Sequence, residues 1–232
     1  MEILAIVGAF TKSLLFVLAA VLPIMNPPAM APTFLAMTDG ARQATRAALA
    51  RRIGRNVALM LSGAMLVGSY VLDFFGVSLP IVRVGGGMIV AATAWRLLHS
   101  SEMTSDTRSK MADTFTAEHV RARAFYPMTF PLTCGPGSIA AAITVGAALH
   151  DPHWGVQLAR FGGGLVGNLL VGVAVYFTYR YARQLLRPLG ETGMVVFLRL
   201  SAFILLCVGV QIVWDGASEL VRELAASLPP QE

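Results

Sequence analysis

Pro23-Ile24-Met25-Asn26-Pro27-Pro28 interrupts an apolar run, residues 13–38, near its midpoint. A second apolar run, residues 124–149, is interrupted in the same way by Pro131-Leu132-Thr133-Cys134-Gly135-Pro136-Gly137. Pro23 and Pro131 stand 108 residues apart, as do Pro28 and Pro136, and the shared offset suggests an internal repeat. Proline removes a backbone donor and clashes with the preceding turn, so each run reads as two half-helices. At membrane depth irregular backbone is tolerated only where it lines a cavity. Broken spans at corresponding positions of two halves therefore point to a transporter's substrate site.

Composition places these runs in a bilayer. Of 232 residues, 56% are hydrophobic and 13% charged, with a mean hydropathy of +0.65. A soluble domain carries about a quarter charged residues. Runs of roughly the 20 residues that a helix needs to cross the hydrocarbon occur at 13–38, 56–75, 77–98, 124–149, 156–179 and 194–214. The expected fold is an all-α polytopic membrane protein of six transmembrane spans, broken in spans 1 and 4, with no interval large enough for a globular domain. Glu2 stands where a secretory leader carries basic charge, and no small-residue cleavage site follows, so the N-terminus reads as retained. Lys12 is expected to snorkel at the outer end of span 1, which sets Asn26 close to mid-membrane. A helix starting at Ile3 would carry Lys12 into hydrocarbon, at a cost.

A net charge of +5 and a pI of 9.7 would suit a nucleic-acid binder, but the basic residues follow topology instead. Connections after spans 1, 3 and 5 hold fourteen of the eighteen Lys and Arg residues, among them Arg42, Arg46, Arg96, Arg121, Arg180 and Arg183. Only Lys12, Arg83, Arg160 and Arg222 fall to the other side. By the positive-inside rule both termini lie outside and those three connections face the cytoplasm. The expected partners are the lipid bilayer and a small solute, not a nucleic acid. Three spans per half make the second half enter from the opposite face, so residues 1–98 and 124–232 read as two inverted-topology repeats. Val82-Arg83-Val84 and Leu198-Arg199-Leu200, each opening an apolar run, are a weaker echo between spans 3 and 6. Residues 99–123, polar and rich in Ser and Thr, read as a cytoplasmic linker with a short surface helix at 117–124.

The breaks also carry chemistry. Asn26 is a good N-cap and Pro27 suits the first helical position, so a half-helix is expected to start there with free amide donors. Cys134 and Gly135 before Pro136 repeat the arrangement, with Gly137 and Ser138 in the first turn. Such N-termini attract a carboxylate. Pro23 and Pro131 withhold the donors that would have bonded the carbonyls of Ala19 and Pro127, and free carbonyls suit an ammonium group. Opposed donors and acceptors without a full protein charge match a small zwitterion. No Asp, Glu, Lys, Arg or His falls near the middle of any span, so an ionic substrate would leave its charge uncompensated. Short side chains around the breaks, Ala29, Ala31, Thr33, Ser138 and Ala140 among them, limit its size. Ser62 and Asn168 are the other polar residues near span centres, and either hydrogen-bonds substrate or a neighbouring helix.

Other motifs take plainer readings. Gly85-Gly86-Gly87 and Gly162-Gly163-Gly164 with Gly167 read as close-packing surfaces rather than hinges. His150-Asp151-Pro152-His153 reads as a solvated outer turn, since four-ligand metal sites are the norm. Cys134 and Cys207 lie in different apolar spans and read as small buried thiols. Asp73 with Arg83, and Glu191 with Arg199, are expected to form interfacial ion pairs. The chain has no phosphate loop, no nucleophile with a base and no carboxylate pair, so no enzyme, cofactor or metal is expected, and primary active transport would need a separate ATPase.

Asn26-Pro27-Pro28-Ala29-Met30-Ala31-Pro32-Thr33-Phe34-Leu35 resembles the N-P-x-G-x-x-P-x-F-L signature of the MarC/SnatA family of six-span membrane proteins. Ala29 stands where that signature has glycine, and Met30 where a polar residue often follows. Pro131-Leu132-Thr133-Cys134-Gly135-Pro136-Gly137-Ser138-Ile139 is similar to its second signature, P-L-x-x-G-P-G-x-I. Arg83-Val84-Gly85-Gly86-Gly87 and Gln211-Ile212-Val213-Trp214-Asp215-Gly216 resemble its third- and sixth-span patterns. The resemblance covers essentially the whole chain and implies a bacterial or archaeal inner-membrane protein that transports small neutral amino acids such as glycine and alanine. The candidate substrate-binding residues are Asn26, Pro27, Pro28, Ala29, Thr33, Thr133, Cys134, Gly135, Pro136, Gly137, Ser138 and Asn168. Import, export, exchange and the coupling ion stay open, as does homo-oligomerisation, because no titratable residue stands near the breaks to couple protons. Two other functions stay open as well, a drug or metabolite efflux protein and a non-transporting membrane scaffold.

Overall fold

Asn26 divides the first helical stretch of the protein into α1, Glu2–Met25, and α2, Pro27–Met37. In the computed structural model, which describes residues 2–38, 40–99 and 124–227, the chain continues as α3, Gln43–Phe74, and α4, Leu79–His99. The second half opens with a wide-turn helical segment, Ala124–Thr133, interrupted by extended residues Tyr126 and Phe130. It is followed by α5, Pro136–Ala148, α6, Trp154–Arg180, a short α7, Ala182–Leu186, and α8, Gly190–Ser227. The described residues include no strand, so the all-α polytopic architecture holds. Among them, α1, α3, α6 and α8 are long and apolar enough to cross a membrane, and Ala124–Thr133 with α5, bent by 71°, makes a fifth candidate. Its 21 residues give α4 the length of a span, about 31 Å at 1.5 Å per residue. Arg83 and Arg96 stand toward its two ends, with three successive glycines between them.

Three boundaries differ from the sequence expectation. The first helix begins at Glu2 rather than near residue 13, because nothing in the apolar residues 3–10 stops it and Thr11 Oγ1 bonds back to the Val7 carbonyl at 2.9 Å. Lys12 therefore lies within a helix of 24 residues, and the break at Asn26 follows that whole helix instead of bisecting a span. Helix α3 starts at Gln43 rather than 56 and has 32 residues, about 48 Å. Its N-terminal turns, which carry Arg46, Arg51 and Arg52, extend beyond a hydrocarbon core of about 30 Å, with Arg55 at the boundary. Helix α8 likewise outruns the expected 194–214, because residues 215–227 contain no proline to stop it and its one glycine, Gly216, is helical.

Helix α6 is the central element, with α1 on one side and α3 on another, while α3 also touches α5 and α4 runs along α8. Val17, Val21, Leu49, Ile53, Val57, Leu61, Val171 and Val175 are fully enclosed between them. Outward-facing Leu59, Phe74, Trp154 and Trp214 form part of the apolar surface that a bilayer covers. Close approach explains the glycines on α6. A Cβ on Gly172 would stand 2.5 Å from the carbonyl oxygen of Gly54, and one on Gly54 the same distance from that of Gly172. A Cβ on Gly163 would collide with the Phe10 carbonyl, whereas one on Gly85 meets open space. Gly163→Ala is therefore expected to cost about 1–3 kcal/mol through overpacking and Gly85→Ala almost nothing. Unfolding midpoints of the two variants in detergent check the contrast.

The expected Asp73–Arg83 pair does not form. Because α4 and α8 pack antiparallel, Arg83 reaches Glu219 instead. The Glu191 side chain and residues 100–123, with most of the expected linker and surface helix, lie outside the described residues. Both cysteines are free, but only Cys134 is buried, and Cys207 faces outward. In the 150–153 turn Asp151 accepts the His153 N–H at 2.9 Å and pairs with Arg160 at 2.8 Å. The His153 N–H and the nearby Arg160 guanidinium hold the Asp151 carboxyl below its ordinary value. Stability from this clamp is present above the unfolded carboxylate range and is lost as pH falls through the lower folded value. Asp151→Asn is accordingly expected to leave the shape of any pH profile between 5 and 8 unchanged, as measured by solute flux.

Candidate functional site

Asn26 closes one helix and opens the next. Its N–H donates to Leu22 O at 3.0 Å, completing the last turn of α1. The residue then takes φ 41° and ψ 62°, the left-handed region that asparagine enters more readily than other side chains. Its Oδ1 accepts the Ala29 N–H at 3.4 Å, and its carbonyl accepts Ala29 N–H at 3.0 Å and Met30 N–H at 3.4 Å. Pro27 and Pro28 carry no N–H at all. The free amide donors expected at this break are therefore absent, because two prolines remove them and Asn26 takes the next two. What remains is the Asn26 Nδ2 amide.

The second break differs. Gly135 caps α5 in an extended conformation, and no side chain bonds the helix start. Ser138 and Ile139 N–H groups donate to Gly135 O at 3.0 and 3.2 Å, and Cys134 N–H to Thr129 O at 2.8 Å. The N–H groups of Gly135 and Gly137 find no acceptor among the described residues. Here the sequence expectation of open donors at a half-helix start is met.

The two breaks come to a similar depth. Gly137 abuts Val90, halfway along α4, and Ile24 packs against the cluster of Val90, Ala94 and Leu205. Met25, Met30 and Phe34 from the first break share one core with Met128 and Cys134 from the second. Pro27 and Ala29 are buried with them, Pro28 and Thr33 partly so, while Pro136 is exposed and Ser138 is 3% exposed. Asn168 is set apart. Its neighbour Gly167 abuts Val17, nine residues before Asn26 and on the order of 13 Å away along α1. Asn168 Nδ2 donates to Met65 Sδ at 3.5 Å, and its buried Oδ1 has no partner among the described residues. Beyond Met65 and Leu149, which both crowd Gly164, a cavity of about 490 Å³ opens among Lys12, Ser13, Phe16, Leu149, Val156 and Arg160. This cavity adjoins the start of α6. At the other end Gln43 Nε2 meets the Arg180 carbonyl at 3.5 Å, so the arginines of α3 and α6 gather into a basic end.

Comparison with known proteins decides the family. A family model described as MarC family integral membrane protein matches residues 11–221. The chain belongs to the MarC family. It is 29% identical over 215 residues to the inner membrane protein MarC of Salmonella typhimurium, covering 88% of this chain and 94% of that one. To its namesake in Escherichia coli it is 27% identical over 210 residues, with the same shares covered. No solved structure matches. The relatives are named for an inner membrane and not for a substrate, and a multi-pass membrane protein of this family is what the helices describe.

Two residues that hold the broken segments of this MarC-family chain escape sequence reasoning. Tyr179 looks like the last residue of an apolar span, yet its hydroxyl meets Thr133 Oγ1 at 2.8 Å and its ring stacks on Phe34. A signal was present: Val171, Val175 and Tyr179 recur every fourth residue on the buried face of α6. Arg46 looks like one of several cytoplasmic arginines, yet it is 3% exposed and bonds the Thr38 carbonyl through Nε at 3.1 Å and Nη2 at 2.8 Å. Nothing in the sequence separates it from Arg51 or Arg52.

Proposed function

We propose that the protein is a secondary transporter of small neutral amino acids of the glycine and alanine type, with alternating access around the two breaks. The chemical contrast of the breaks supports this most strongly. The second supplies backbone donors at Gly135 and Gly137 for a carboxylate. The first supplies the Asn26 side chain, whose Oδ1 keeps a second lone pair for the ammonium end beside its 3.4 Å bond from the Ala29 N–H. Neither break brings a formal charge, and the side chains around them, Ala29, Ala140 and Gly137 among them, are short, as a small solute would need. Asn168 Oδ1, unpartnered and buried between the breaks and the cavity, is an acceptor that a passing ammonium would satisfy. Its position makes it a waypoint rather than part of the central site. Helices α3 and α6, and likewise α4 and α8, are equivalent under an inverted repeat, and each pair packs together as alternating access by repeats requires. In this reading the basic end is cytoplasmic, both termini are outside, and transport needs neither cofactor nor covalent chemistry.

Counterflow of labelled glycine, alanine and serine into liposomes containing the purified protein tests the proposal. Saturable uptake that any of the three competes for is the expected result. Absence of flux for all three would overturn it in favour of a scaffold or an efflux protein for other solutes.

A further inference from the structure

Tyr179 touches both broken segments, through contacts of different kinds. Its ring lies 4.6 Å from that of Phe34 on α2, with the planes 10° apart. Thr133 at the second break donates to the Met128 carbonyl at 2.6 Å, so in the 2.8 Å contact between the two hydroxyls the Tyr179 O–H is the donor. All three residues are enclosed, Phe34 at 1% exposure and Tyr179 and Thr133 at 2%. They stand between the breaks and the basic end, where Arg180 follows Tyr179 directly and Arg46 closes the end of α2 on Thr38. The opposite end is hollow, with the cavity reaching in as far as Ser13 and Leu149.

We propose that Tyr179 is a positioning residue that ties both breaks to α6 and serves as the inner gate of the transport path. The gate rests on the transport reading above. Within the apolar core that Tyr179 and Phe34 share, the polar part of this closure is a single neutral hydrogen bond. A tighter clamp would remove the open state from the percentage range in which a minor conformer turns over usefully. The contacts also couple the gate to the site. Rotation of Tyr179 away from Thr133 frees the segment that precedes Gly135, while separation from Phe34 frees the α2 half-helix that Asn26 caps. Both breaks are released together toward the basic end, whereas on the other side Met65, which accepts from Asn168, and Leu149, which lines the outer cavity, both crowd Gly164.

Cys134, buried beside Thr133, is a built-in reporter of this opening. In a Cys207→Ala background, an impermeant maleimide is applied to oriented membrane vesicles from either face. Tyr179→Phe keeps the ring and its volume but removes the donor. It is expected to raise Cys134 labelling from the basic face about fivefold, the effect of losing one net hydrogen bond, and to leave labelling from the other face unchanged. Thr133→Val should reproduce that sided rise, and the double variant should add little to either. No rise from the basic face, or an equal rise from both faces, overturns the gate. Labelled alanine flux measured in the same vesicles separates the two readings. Wild-type flux without a sided rise removes the gate alone. A sided rise without wild-type amino-acid flux keeps the gate and removes the amino-acid assignment.

Discussion

Asn26→Gly is expected to leave the protein folded while lowering small-amino-acid exchange roughly tenfold to a hundredfold. That range is the loss of one hydrogen bond between an amide and a charged group, about 1.5–3 kcal/mol, at about 1.4 kcal/mol per tenfold. Glycine is the informative substitution because the residue sits at φ 41°. Glycine adopts that conformation freely, and as an N-cap it loses only a few tenths of a kcal/mol relative to asparagine. The backbone of the break therefore persists and only the side-chain amide disappears. Asn26→Ala conflates two effects, since a Cβ in the left-handed region costs about 1–2 kcal/mol and the lost cap about 1 kcal/mol more. Exchange in liposomes and the unfolding midpoint, measured on both variants, separate them. Wild-type exchange by the glycine variant would take Asn26 out of the site.

The breaks themselves were legible because proline and glycine act through covalent geometry, which no tertiary context can reverse. The paired prolines announced where the helices stop, with a left-handed residue at the first break and a 71° bend at the second. Donor accounting was less legible, though it could have been done. Pro27 and Pro28 visibly lack N–H groups, but which acceptor takes the Ala29 and Met30 donors depends on the left-handed turn at Asn26, and that is tertiary information. Span limits were misjudged where hydropathy ends before the helix does, as in α3 and α8, because a helix continues past the hydrocarbon as long as its backbone bonds are made. Lys12 was placed by the energetics of lipid, whereas it faces a cavity. Tyr179 and Arg46 stayed hidden for a related reason: each owes its role to a partner far away in sequence, Thr133 in one case and the carbonyl end of α2 in the other.

Removing the Arg46 side chain should be the most damaging change outside the breaks. Arg46 is 3% exposed, so its charge needs an answer, and the end of α2 gives one. Nε and Nη2 both donate to Thr38 O, at 3.1 and 2.8 Å, and Nε also reaches Thr38 Oγ1 at 3.2 Å. Thr38 is the C-cap of α2, where the helix dipole is negative and a cation is worth up to about 2 kcal/mol in a partly buried setting. Arg46→Ala also leaves a buried carbonyl without its strongest donors, at about 1–3 kcal/mol. A total near 3 kcal/mol corresponds to a fall of about 6–12 °C in the unfolding midpoint for a chain of this size. Arg46→Lys should recover less than half of that, since one ammonium cannot place two donors on a single carbonyl in the fixed geometry of the guanidinium fork. Because α2 has only 11 residues between Thr38 and Asn26, loosening one end displaces the other. Any Arg46 variant that still inserts should therefore lose exchange activity along with stability. An Arg46→Ala protein with an unchanged midpoint would show that α2 is held by its packing alone.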